Sequence, residues 1–315
     1  MPLRVVFFGT PAFAVPTLER LMRSRHSVVG VVTQPDRPRG RGQQVTEGPV
    51  KQLAASAGLA VLQPERLGRE AFESPLTALQ ADIGVVAAYG KILPDWLLAA
   101  IPRGLINVHA SLLPRYRGAS PVHRAVIAGE HETGVTIMRV VKALDAGPML
   151  ARVRMPIGPD DTTTVVEARL ALKGAELLVE ALDAIEAGTA VETPQDQARA
   201  TYAPKLTKAD SLVDWSRPAA QIHNLIRGLY PWPHASTHLA GQRYILHRSR
   251  LSSVDHDAEP GTIVQASAVG GLHVACGTST ALELLELQLE GKRVVSARDA
   301  LASRALIAGA RFGPP

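Results

Sequence analysis

Arg4-Val5-Val6-Phe7-Phe8-Gly9-Thr10-Pro11 decides the fold. Val5 to Phe8 is a short apolar strand. Gly9-Thr10-Pro11 follows, with Thr10 placed to cap a helix whose first residue is proline. A strand handed through a tight turn into a helix is the mark of a doubly wound α/β sheet. The turn is neither a G-x-G-x-x-G fingerprint nor a Walker loop, so no dinucleotide or nucleoside triphosphate is assigned to it.

Working outward, His26 to Thr33, Ala81 to Ala88 and Gly104 to Val108 read as further strands, with amphipathic segments around Gly48 to Ala57 and Arg69 to Gln80. This alternation predicts a Rossmann-like, mostly parallel sheet covered on both faces. Thr133 to Met138 and Met149 to Ile157 read as a hairpin, and Asp160-Asp161-Thr162 opens a long helix through Ile185, capped by Thr162 or Asp161. Across 315 residues, 46% are hydrophobic and 20% charged, an ordinary globular balance with room for two cores. The single cysteine, Cys276, permits no intrachain disulfide and reads as a small buried residue. No stretch approaches the ~20 apolar residues that span a bilayer. A cytoplasmic protein is expected.

Ligands of such sheets bind beyond the carboxyl ends of the strands. There the chain places Asn107-Val108-His109-Ala110-Ser111-Leu112-Leu113-Pro114-Arg115-Tyr116-Arg117-Gly118. Side chains two apart on a strand share a face, so Asn107 and His109 can reach one bound atom together. An amide that donates hydrogen bonds and an imidazole that carries a proton suit acyl transfer through a tetrahedral centre. His123 and His131 nearby have no metal-ligand spacing, so no metal is expected.

The Asn-x-His strand end, Ser-Leu-Leu-Pro-Arg-Tyr-Arg-Gly-Ala-Ser-Pro, and the later Gly-Val-Thr-Ile-Met and Leu-Asp-Ala-Gly-Pro-Met resemble the folate-dependent formyltransferases. The resemblance implies a catalytic triplet of Asn107, His109 and Asp145. Taken alone, an aspartate beside glycine at Asp145 would read as a turn former. It also implies 10-formyltetrahydrofolate as formyl donor, contacted by Ser111, Leu112, Leu113 and Pro114 and by the loop that carries Tyr89. The acceptor implied is methionine-charged initiator tRNA, selected through a weak first acceptor-stem pair.

Gln34 to Gln44, with Arg37, Arg39 and Arg41 spaced among Pro and Gly, reads either as a solvated connection or as a phosphate-contacting arm. The resemblance favours the arm and places Arg41 at the tRNA acceptor end, with Arg37 and Arg39 assisting. The formal charge of +5 fits a polyanionic partner without requiring one. Arg115 and Arg117 could bind RNA phosphate or the folate tail, or pair with surface carboxylates.

Residues 1–188 are expected to form the catalytic domain, 189–208 a linker rich in Pro, Gln and Thr, and 209–315 a second domain. That second domain has a helix near Pro218 to Gly228 and short strands from His234 to Leu287. It reads as an open, OB-like β-barrel with a closing helix near Ser296 to Ala305, suited to tracking RNA. Arg243, Arg248, Arg250, Lys292 and Arg293 are its basic candidates. A monomer is expected. Three rival readings are formyl transfer to a small amine, release of formate to water, and an inactive scaffold that binds RNA.

Overall fold

The computed structural model describes residues 1–39, 44–302 and 305–314. The chain forms two compact units. The first comprises residues 1–121, 132–156 and 167–203; the second comprises residues 122–131, 157–166 and 204–315.

The first unit is built on a seven-stranded sheet. In chain order its strands are β1 (Arg4–Gly9), β2 (Ser27–Val32), β5 (Val61–Leu62), β6 (Ile83–Ala87), β7 (Leu105–His109), β8 (Glu132–Arg139) and β9 (Met149–Pro156). Their spatial order is β5-β2-β1-β6-β7-β8-β9. The first five run parallel, and β7-β8 and β8-β9 pair antiparallel. Val5 to Phe8 are fully buried, as expected of a strand with helices on both faces. Helices α1 (Val15–Met22), α2 (Pro49–Ser56), α3 (Arg69–Thr77) and α4 (Asp95–Ala100) lie between the parallel strands, and the long helix α6 (Thr163–Ala187) follows β9. Gly174 lets α6 approach the sheet closely, since a Cβ there would meet Val108 Cγ1 at 2.8 Å.

One local expectation is corrected. Thr10 caps no helix: Pro11 is the cap of a short 3-10 turn, Ala12–Ala14, which leads into α1. The Thr10 hydroxyl accepts the Gln34 N–H at 3.3 Å and donates to the Tyr89 carbonyl at 3.3 Å, tying together the loops after β1, β2 and β6. The arginine-bearing connection has secondary structure of its own. It begins and ends as a two-stranded ribbon, β3 (Arg37–Arg39) against β4 (Gln44–Thr46), in which main-chain pairing needs no apolar periodicity. Arg41 lies outside the described residues.

The second unit includes all but the first residue of α5 (Pro121–Ile127), α7 (Ala219–Gly228), and the strands β10 (Ala235–Leu239), β11 (Gln242–Ser252), β12 (Ile263–Ser267), β13 (Gly271–Cys276), β14 (Thr280–Leu289) and β15 (Val295–Ser296). The strand order is β10-β11-β14-β13-β12, with β15 on β14, all antiparallel. The core stacks Trp215 on Phe312 at 5.8 Å, and the indole N–H donates to Thr237 Oγ1 at 2.9 Å. Cys276 is buried in this core, and burial pushes its thiol up to about 12. The expected closing helix is a single turn, α8 (Ala297–Ala300). The extended tail instead reaches both edges, with Gly313 exchanging hydrogen bonds with His238 of β10 and Arg311 bridging to Thr262 just before β12. An unpaired strand edge is thereby covered by main chain rather than by a helix.

Candidate active site

β7 ends inside the sheet, between the last parallel neighbour and the first antiparallel one. Asn107 stands opposite Val86 of β6 and Met138 of β8, and His109 stands opposite Thr136. Asn107 is half-buried, and its carboxamide makes no hydrogen bond among the described residues. His109 is 5% exposed. Its Nε2 donates to the Tyr116 carbonyl at 3.0 Å, because a carbonyl can only accept. Its Nδ1 lies 3.7 Å from Asp145 Oδ2.

Asp145 sits in the β8-β9 connection with φ +47, a left-handed backbone that an L-residue adopts at a cost. Its Oδ2 accepts the Gly118 N–H at 2.8 Å. Residues predicted from two distant parts of the sequence therefore meet at one place. The 3.7 Å separation of His109 and Asp145 is an ion-pair distance rather than a hydrogen bond, so the one hydrogen bond that orients the ring is to Tyr116.

The Ser111–Pro114 turn is fastened from two sides. Ser111 is fully buried and donates its hydroxyl to the Arg115 carbonyl at 2.6 Å. The Thr136 hydroxyl donates to the Ser111 carbonyl at 2.7 Å and accepts the Leu113 N–H at 3.2 Å. Leu113 packs with Met138 and Met149, while Leu112 and Pro114 stay partly exposed. The Tyr89 ring lies in the core, edge-on to Phe8 at 5.6 Å, and burial pushes its hydroxyl up to about 12. The Tyr89 carbonyl accepts from Gln34 Nε2 at 2.7 Å.

Arg117 is 2% exposed, and among the described residues its guanidinium is hydrogen-bonded to glutamines. Its Nε and Nη2 donate to Gln195 Oε1 at 3.1 and 2.7 Å, and its Nη1 to Gln197 Oε1 at 2.9 Å. Arg115 is exposed and lies 5.2 Å above the Tyr116 ring. Arg37 is exposed at the start of β3. Thr136, Gln195 and Thr201, whose hydroxyl accepts the Tyr116 N–H at 2.9 Å, were not singled out from the sequence. The one available signal was the pair Gln195 and Gln197, two apart in a segment otherwise read as linker.

Metal-ligand types gather elsewhere. Among the described residues, His26, Asp183 and Glu186 alone bring three such atoms within 4.8 Å of one another. Arg25 pairs with both carboxylates and His26 Nδ1 already accepts the Leu3 N–H at 3.2 Å, which is the wiring of an ion-pair network. No helix among the described residues is long and apolar enough to cross a membrane.

The end of β7 carries a carboxamide and an imidazole, the β8-β9 connection sets a carboxylate beside the imidazole, and the chain is a group-transfer enzyme of the formyl transferase class. Residues 3–182 match the formyl transferase family and residues 205–305 its C-terminal domain. The chain belongs to the methionyl-tRNA formyltransferase family. It is 48% identical over 312 residues to the methionyl-tRNA formyltransferase of Acidobacterium capsulatum, covering 99% of this chain and 100% of that one. It is also 48% identical over 303 residues to that of Stutzerimonas stutzeri, covering 96% and 95%. Among solved structures, an N-formyltransferase from Helicobacter canadensis, in complex with folinic acid and dTDP-3-aminofucose, shares the fold with a TM-score of 0.68 at 16% identity, covering 90% of this chain and 98% of that one.

Proposed function

We propose that the chain transfers the formyl group of 10-formyltetrahydrofolate to the α-amine of methionine esterified to initiator tRNA, with Asn107, His109 and Asp145 as the catalytic residues. The observation that carries this reading is His109 Nδ1 lying 3.7 Å from Asp145 Oδ2 at the carboxyl end of β7, two residues beyond Asn107 on the same strand. The amine nitrogen attacks the formyl carbon, and the carbonyl electron pair moves to oxygen. Asn107 donates to that oxyanion. His109 donates beside it, the arriving oxygen competing with the Tyr116 carbonyl for the Nε2 proton. Loss of one such donor removes roughly 3 to 4 kcal/mol of transition-state stabilisation. Collapse of the tetrahedral centre re-forms the carbonyl and breaks the bond to N10 of the folate, which takes up a proton. The amine gives up its proton, with Asp145 as the receiving group through water.

Ser111 to Pro114 and the loop carrying Tyr89 are assigned to the folate. With the Tyr89 ring in the core, that loop has its backbone to offer a flat heteroaromatic ring. Arg41, with Arg37 and Arg39, is assigned to the acceptor end of the tRNA. Residues 1–188 serve as catalytic domain, 189–208 as linker and 209–315 as a tRNA-binding domain. The enzyme acts as a monomer in the cytoplasm, where translation begins.

The test is formyl transfer from 10-formyltetrahydrofolate to methionine-charged initiator tRNA, run beside charged elongator tRNA and beside water. Transfer to the initiator alone is expected. Formate release without acylated tRNA would keep the folate chemistry and reject the acceptor.

A further inference from the structure

We infer that Gln195 is a positioning residue for Asp145, with Arg117 fixing Gln195 in turn; the inference rests on the proposed role of Asp145. Gln195 is 7% exposed, and its side-chain amide is taken up by three residues. Its Nε2 donates to the carbonyls of Asp145 and Gly147, both at 2.8 Å. Its Oε1 accepts two bonds from Arg117. The orientation of the amide is forced, since carbonyls only accept and a guanidinium only donates.

This arrangement matters because the turn it grips is strained. Asp145 holds φ +47. Two residues on, Gly147 comes so close to β8 that a Cβ would fall 1.9 Å from the Arg139 carbonyl. A left-handed L-residue is strained and persists only where its surroundings over-determine it. The two hydrogen bonds from Gln195 bracket that residue on its carbonyl side, while Gly118 holds its carboxylate. The segment bearing Gln195 is itself pinned. Met149 and Thr193 exchange both backbone bonds at 2.8 Å, and Arg117 pairs with Thr201 and Ala203 at 2.9 and 2.7 Å.

The test uses the full chain with Gln195→Met, which removes both polar ends at similar volume, and Gln195→Glu, which keeps the acceptor for Arg117 but turns an oxygen toward two carbonyls. Should the first fail to fold, the second still reports. Each is made in the native and in the Asp145→Asn background. A fall in kcat of about 10- to 100-fold is expected, with both KM values within about twofold, as for a displaced catalytic group. No further fall is expected once Asp145 is already Asn. The Gly118 amide resonance, which reports the bond to Asp145 without any turnover, should move toward its position in Asp145→Asn.

Unchanged kcat in both variants overturns the inference. So does a raised KM at unchanged kcat, which would make Gln195 a substrate contact, and so does an undiminished loss in the Asp145→Asn background. An unmoved Gly118 amide alongside intact formyl transfer rejects the positioning role and leaves the function standing. A shifted amide in a chain that formylates no tRNA does the reverse.

Discussion

Gly118 donates its backbone N–H to Asp145 Oδ2 at 2.8 Å, so the carboxylate next to His109 is held by main chain more closely than by the imidazole at 3.7 Å. Gly118 has φ +117, and a Cβ on it would stand 2.8 Å from the Ala203 carbonyl oxygen. Only glycine fits that backbone without strain. Gly118→Ala is therefore expected to lower stability by about 1 to 3 kcal/mol and, by shifting the amide, to lower turnover as well. Urea unfolding paired with a formyl-transfer assay checks both; unchanged turnover in the folded variant would sever Gly118 from the site.

Asn107 offers a carboxamide with no hydrogen-bonding partner among the described residues, so its removal leaves little behind to collapse. Asn107→Ala is expected to reduce kcat roughly 100- to 1000-fold, the loss of one oxyanion donor, with the unfolding midpoint barely moved. A variant that loses stability in step with activity would point to a structural role instead.

Arg41→Ala should weaken charged-tRNA binding and flatten its dependence on salt by about one counterion, because a phosphate contact releases roughly one condensed cation. Binding measured across a salt series reads the slope directly. An unaltered slope would return the Gln34 to Gln44 connection to the role of a solvated loop.

In the second unit, burial, reinforced by neighbouring His247, pushes His234 down from the ordinary 6.5 to about 4. As pH falls through 6.5 the unfolded chain takes up a proton that the folded chain refuses until about 4. Stability should therefore be level above that window and decline within it. His234→Asn, tolerated at its φ of +65, is expected to remove this part of the acid sensitivity. Urea midpoints at pH about 7 and about 5 for both proteins test it, and parallel declines would assign the effect elsewhere.

What was legible in the sequence was whatever short-range pattern encodes. Val5 to Phe8 announced a buried strand, and Asn107 and His109 announced a shared face because pleating is periodic. Asp145 became legible only through resemblance, since nothing local says which histidine a loop aspartate will meet. Arg117 and Gln195 were illegible for a related reason: they are partners across 78 residues, and a buried polar pair looks on paper like two surface residues. The arginines of β11 show the same limit: Arg243, Arg248 and Arg250, the basic candidates of the second domain, each pair with a glutamate, at Glu290, Glu286 and Glu283, in and just beyond β14. Cross-strand register, which composition does not contain, decides that pairing.

The pairing of Met149 with Thr193 and of Arg117 with Thr201 and Ala203 has a consequence for the order in which the enzyme is made. A ribosome delivers Asn107, His109 and Asp145 long before it delivers the segment that braces them. Folding during synthesis can lay down β1 to β9 early, but the brace must wait until residue 203 has left the exit tunnel. The nascent chain thus carries Asn107, His109 and Asp145 for some time before it carries the segment that completes their surroundings.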